Sequence, residues 1–121
     1  MPDRILLVGH CGVDGPRLKE ELSKAIPSAK VERINSDDEL KKAVDEGASL
    51  LLINREPVGF DGEGLDIIKR VRSEHPGCKV MLVSDHDDAQ QEAQAAGALK
   101  GFGKSEMGSP SLAQHVKHSL A

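Results

Sequence analysis

Leu50-Leu51-Leu52-Ile53-Asn54 is the most apolar run of the chain closed by a polar residue, and its reading decides the fold. A short unbroken block of this kind is expected of a central parallel strand buried on both sides. Upstream, Gly47 ends a helix with apolar positions Leu40, Ala43 and Val44, and Ser36 with Glu39 makes a capping box in front of it. Lys30 to Ile34 alternates as a half-covered strand does. Before it, Leu18, Leu22, Ala25 and Ile26 recur at helical spacing between Pro16 and Pro27, and Ile5 to Val8, bounded by Gly9, reads as the first strand. Downstream, the loop Arg55 to Gly64 opens onto Leu65, Ile68 and Val71 at helical spacing, ended by His75-Pro76-Gly77. Val80 to Val83 is a fourth strand. Ala89, Ala93 and Ala96 mark a small-residue helix that Gly97 ends, Lys100 to Gly103 is a short, weak fifth strand, and Leu112, Val116 and Leu120 give a last helix after Ser109-Pro110.

Five strand-then-helix units in alternation imply a parallel sheet with right-handed crossovers and helices on both faces, a three-layer α/β sandwich. Ligands of such sheets bind beyond the carboxyl ends of the strands. That edge carries Gly9-His10-Cys11, Asn54, Ser84-Asp85-His86 and Lys104.

The 121 residues are one domain's worth, and the expected domain is 1–121. With 38% hydrophobic and 30% charged residues the composition is globular, and no apolar run approaches the roughly 20 residues of a membrane span. No secretory signal pattern opens the chain, so a cytoplasmic location is expected. Cys11 and Cys78 lack Cys-x-x-Cys spacing, which argues against a zinc module or disulfide framework. A formal charge of -4, scattered lysines and arginines, and an aromatic content of only Phe60 and Phe102 argue against nucleic acid as a partner.

With the elements placed, the chain resembles the CheY-like receiver domain of two-component response regulators over its whole length. The third strand runs into Asn54, where that family has its phosphoacceptor aspartate, and Asp61-Gly62 follows before a helix, as Asp-Gly does in the family. The fourth strand ends at Val83-Ser84, matching the family's hydroxyl residue, and Ala96-Gly97-Ala98 precedes Lys104 as Ala-Gly-Ala precedes the family's lysine. The resemblance implies a flavodoxin-like topology with strand order 2-1-3-4-5.

The resemblance also implies what has been lost. A receiver carries a phosphoryl group on a carboxylate; two acids after strand one hold Mg²⁺, and a lysine and a hydroxyl contact the phosphoryl oxygens. Here Gly9 and His10 replace the acid pair and Asn54 replaces the phosphoacceptor. A neutral amide is no carboxylate nucleophile, and glycine beside histidine offers no hard oxygen ligand to Mg²⁺. Conventional phosphotransfer is expected to be absent, and no cofactor is implied. Further departures are Pro57, one residue early, Ser105 in place of a proline after Lys104, and Gly101 where receivers carry an aromatic that swings inward on activation, with Phe102 one residue out of register.

Each retained position has two readings. Asn54 is either an amide that reads a ligand or a strand-end residue capping its loop. Lys104, without its usual carboxylates, is either solvated or bound to another anion. Ser84 is either a satisfied strand-end hydroxyl or a ligand contact. His10 and Cys11 with Asp85 and His86 would suit zinc or copper if they converged, but strand three separates strands one and four in a receiver-like order. Gly9, Gly12 and Gly15 space a loop whose amides could cradle phosphate beside Lys104, or merely permit tight turns.

The expected function is that of a stand-alone signalling adaptor, not an enzyme, acting independently of phosphorylation through protein contacts of helix four, strand five and helix five. That face is expected to include Ala89, Ala93, Phe102 and the helix from Pro110 to Leu120, with a homodimer among the arrangements it allows. The alternative is a small-ligand or anion sensor, for nucleotide or phosphate, using Gly9, His10, Asn54, Ser84 and Lys104.

Overall fold

Leu50–Asn54 forms strand β3, and all five of its residues are buried. In the computed structural model, which describes residues 3–120, this strand is the middle of a five-stranded parallel sheet. Its neighbours are β1 (Arg4–Val8) and β4 (Lys79–Val83); β2 (Lys30–Ile34) lies outside β1, and β5 (Leu99–Phe102) outside β4. The order is thus β2-β1-β3-β4-β5, as the resemblance implied.

Side chains of a strand alternate between faces, so each inner strand feeds two cores. Leu51 and Ile53 of β3 join Leu6, Val8, Val80 and Leu82 beneath α2 (Asp37–Glu46), α3 (Gly64–Glu74) and α4 (Asp87–Ala95). Leu50 and Leu52 join Ile5, Leu7, Met81 and Val83 beneath α1 (Asp14–Ala25) and α5 (Pro110–Leu120). This is the three-layer sandwich. Ser36 caps α2 by accepting a hydrogen bond from the Glu39 amide at 3.2 Å, while the Glu39 carboxylate answers to the Ser36 hydroxyl rather than to its backbone.

Three details depart from the expectations. In α3 the buried stripe is Ile67, Ile68 and Val71, and Leu65 is only half-buried. The helix starts at Gly64, where a Cβ would overlap the Asn54 carbonyl. In α4 Ala93 is buried, while Ala89 and Ala96 pack at the margin. Strand β5 begins at Leu99 and ends at Phe102, one residue earlier than expected at each end. Its register is broken: Met81 pairs with Leu99 and Val83 with Phe102, so Lys100 and Gly101 together face Leu82.

Candidate functional site

Parallel strands bring their carboxyl ends to one edge of the sheet, and there Asn54, Ser84 and Lys104 line a cleft of about 370 Å³ together with Cys11, Glu56 and Asp85. Gly9 and His10 stand at the end of β1 on the same edge but lie outside the lining of this cleft. Several polar groups of the cleft are engaged by protein partners.

Gly9 has φ +72°, a left-handed conformation that glycine adopts without penalty. Pro57 is buried and packs so closely on it that a Cβ at position 9 would overlap the proline ring. Two hydrogen bonds hold this loop down: the Val58 amide donates to the Gly9 carbonyl at 2.8 Å, and Asn54 Nδ2 donates to the same carbonyl at 3.0 Å. The second Asn54 contact is to the Glu56 carbonyl at 3.1 Å. Of the two readings of Asn54, its contacts are those of a residue tying the β3–α3 loop across the end of β1. The early proline and the glycine at position 9 are therefore complementary parts of one closure.

His10 is almost completely enclosed, at 1% exposure. Its ring N–H donates to the Leu52 carbonyl at 2.8 Å, which leaves Nδ1 as an acceptor with no partner among the described residues. Burial pulls its pKa below the ordinary histidine value, and the positive charges of Lys104 and Arg33 act the same way; the Leu52 carbonyl and Asp14 act against them. The ring is thus a neutral interior group, directed away from the cleft that Cys11 and His86 line. Among the described residues no three of His, Cys, Asp and Glu converge to hold a metal ion.

Lys104 corrects the expectation that it lacks a carboxylate partner. Its Nζ lies 3.1 Å from a carboxylate oxygen of Asp14, the first residue of α1. Lys104 holds the Asp14 carboxyl below the usual carboxylate range, the Cys11 thiol assists, and partial burial opposes. Asp14 was missed because it stands inside the glycine-spaced loop; the available signal was an acid in the first turn of a helix that starts at the ligand edge. The same helix start takes in part of the glycine-spaced loop. Gly15 lies within α1 and its amide donates to the Cys11 carbonyl at 2.9 Å, while the Asp14 amide donates to Cys11 Sγ at 3.3 Å. Gly12 is exposed, with open space where a side chain would stand.

Ser84 is buried, and its hydroxyl accepts from the His86 amide at 3.1 Å, forming a short turn before α4. Asp85 then reaches across to Ser105, accepting from its amide at 3.2 Å and its hydroxyl at 2.6 Å. Ser105 lowers the Asp85 pKa through both contacts. The residue after Lys104 therefore fastens the β5–α5 turn to the β4–α4 loop.

Gln90, on α4, carries no signal in the sequence and is a structural tie. Its Nε2 donates to the carbonyls of Leu82 at 2.8 Å, Ser84 at 3.1 Å and Phe102 at 3.3 Å. Gly101 lies beside it with no room for a side chain, because a Cβ would overlap the Leu82 carbonyl. Phe102 and Ala93 were expected on the outer face of α4, β5 and α5; both are buried, Phe102 in the α1–α5 core and Ala93 in the opposite one. They fill the core because strand alternation and the inner stripe of α4 direct them inward. The outer surface there is formed by Gln91, Gln94, Leu99 and Lys100. His115 fixes it to α5 through the Lys100 carbonyl at 2.6 Å.

No protein-family model matches the chain, and no curated protein matches it. Solved structures do. A protein assigned as a response regulator from Chloroflexus aurantiacus J-10-fl superposes with TM-score 0.84 at 21% identity, covering 99% of this chain and 98% of that one. A response regulator from Thermotoga maritima gives 0.82 at 21% identity, over 99% and 98%. The receiver domain of NtrC4, determined as a beryllofluoride-activated dimer, gives 0.77 at 18% identity, over 97% and 95%. The fold is that of response-regulator receiver domains.

Proposed function

We propose that the chain is a cytoplasmic signalling protein of receiver fold, one domain over 1–121, that works without phosphorylation and through protein contacts made by α4, β5 and α5. In this reading it is not an enzyme: Gly9, His10, Asn54, Ser84 and Lys104 are a receiver's phosphorylation positions turned into internal ties. The observation that carries the reading is the closure of the β3–α3 loop over β1, with Pro57 packed on Gly9 and the Asn54 amide bonded to the Gly9 carbonyl. A side chain at position 9 has no space, so the first acid of a metal-binding pair has no place to stand. The second position is an enclosed neutral imidazole, and the remaining lysine is partnered by Asp14.

A second copy of this chain is one partner compatible with the face, since the NtrC4 receiver domain forms a dimer. The test is an amide NMR titration of the full chain with Mg²⁺ and beryllofluoride. Gly9, Asn54, Ser84 and Lys104 are expected to stay unmoved, and saturable shifts at these residues would overturn the reading. Saturable shifts with nucleotide or inorganic phosphate alone would replace it by the anion-sensor function.

A further inference from the structure

Helix α4 sits on the sheet with little apolar surface, because Ala93 is the one of its described residues that is buried. A helix so weakly anchored needs another attachment, since helices in proteins gain most of their stability from packing an apolar face. Gln90 supplies it at the place where β5 loses its register with β4. Its Nε2 spans the Leu82 carbonyl of β4, the Ser84 carbonyl of the β4–α4 loop and the Phe102 carbonyl of β5. Its Oε1 is buried without a partner among the described residues, so turning the amide over would direct an oxygen at these carbonyls. Gly101 completes the fit, because a Cβ there would overlap the Leu82 carbonyl and lie 2.9 Å from Gln90 Oε1.

We propose that Gln90 is a latch: it fixes α4 against β5 and so keeps the α4–β5–α5 surface in one conformation. It concerns the chain by itself and goes beyond the proposed signalling role, standing whether or not the cleft responds to a phosphoryl mimic. A response to beryllofluoride bears on the signalling reading, and the experiment below bears on the latch.

The experiment is residue-resolved amide hydrogen exchange on the full chain as wild type, Gln90→Leu and Gln90→Glu. In the Leu variant the amides of Leu99–Phe102 and of the first turns of α4 are expected to exchange roughly tenfold faster, with β1, β2 and β3 unchanged. In the Glu variant the protection of β5, corrected for intrinsic exchange, is expected to fall as pH rises from about 4 to about 8, because an ionising carboxylate is repelled by the carbonyls. Wild type is expected to show no such pH dependence at β5. The Glu variant gives this comparison by itself where the Leu variant does not fold. Protection of β5 within about twofold of wild type in both variants, or a loss spread evenly over the whole sheet, would overturn the proposal.

Discussion

Pro57 lies directly on Gly9, forty-eight positions away in the chain by numbering (57 − 9), and occupies the space that a side chain at position 9 would need. Gly9→Asp, which restores the first acid of a receiver, is therefore expected to be destabilising. It places a Cβ against the proline and puts a residue with a side chain at φ +72°, for a loss of about 2–4 kcal/mol. Urea unfolding monitored by far-UV circular dichroism measures this. A variant as stable as wild type, with Mg²⁺ affinity gained, would show that the loop yields.

Asn54→Asp restores the phosphoacceptor in name and removes the Nδ2 donor that serves the Gly9 and Glu56 carbonyls. A carboxylate there faces two carbonyl oxygens, and the expected cost is about 1–3 kcal/mol at neutral pH, shrinking in acid as the carboxyl protonates. Incubation with acetyl phosphate and Mg²⁺, followed by intact mass measurement, is expected to show no added phosphoryl group. A stoichiometric phosphoryl adduct would contradict the closed site.

Stability is expected to decline between about pH 7 and pH 5 because of His10. Its folded-state pKa is lowered by burial, so below about 6.5 the unfolded chain binds a proton that the native chain refuses. The contribution is complete above the unfolded pKa and is lost as pH falls beneath it. His10→Gln keeps a donor for the Leu52 carbonyl and removes the titration; its thermal midpoint should vary less over that interval than the midpoint of wild type.

The Lys104–Asp14 pair acts in the same direction, at lower pH. Asp14 has a folded pKa below its unfolded value, so its contribution is present above about pH 4 and is lost as pH falls through the folded pKa. Lys104 is 42% exposed, and solvent screening limits the pair to about 0–1 kcal/mol. Lys104→Met is accordingly expected to shift the urea midpoint only slightly at pH 7. A loss above about 2 kcal/mol would mean that the lysine does more than hold Asp14.

The strands and helices were legible because short apolar blocks and helical spacing are local signals, and the order of elements at the ligand edge followed from them. Leu50 to Ile53 was readable in isolation. The ties of the site were not, because each joins groups remote in sequence: Asn54 to Gly9, Lys104 to Asp14, Asp85 to Ser105. Asp14 looks like a loop acid until the sheet brings β5 beside the start of α1's layer, and Gln90 looks like a solvated residue until the break in β5 presents it with carbonyls. The inward direction of Phe102 was not legible because register on a short strand shifts by one residue, and a shift of one exchanges the two faces.

The break in β5 has a further consequence for how the molecule meets others. An edge strand with an unbroken row of amides and carbonyls invites another chain to extend the sheet. Here the edge is four residues long, interrupted opposite Leu82, and covered at the Lys100 carbonyl by His115. Such an edge is a poor template for strand addition. Recognition on this side of the molecule has to be read from helix and strand side chains, and the same irregularity guards the chain against growing into extended sheets with its own copies.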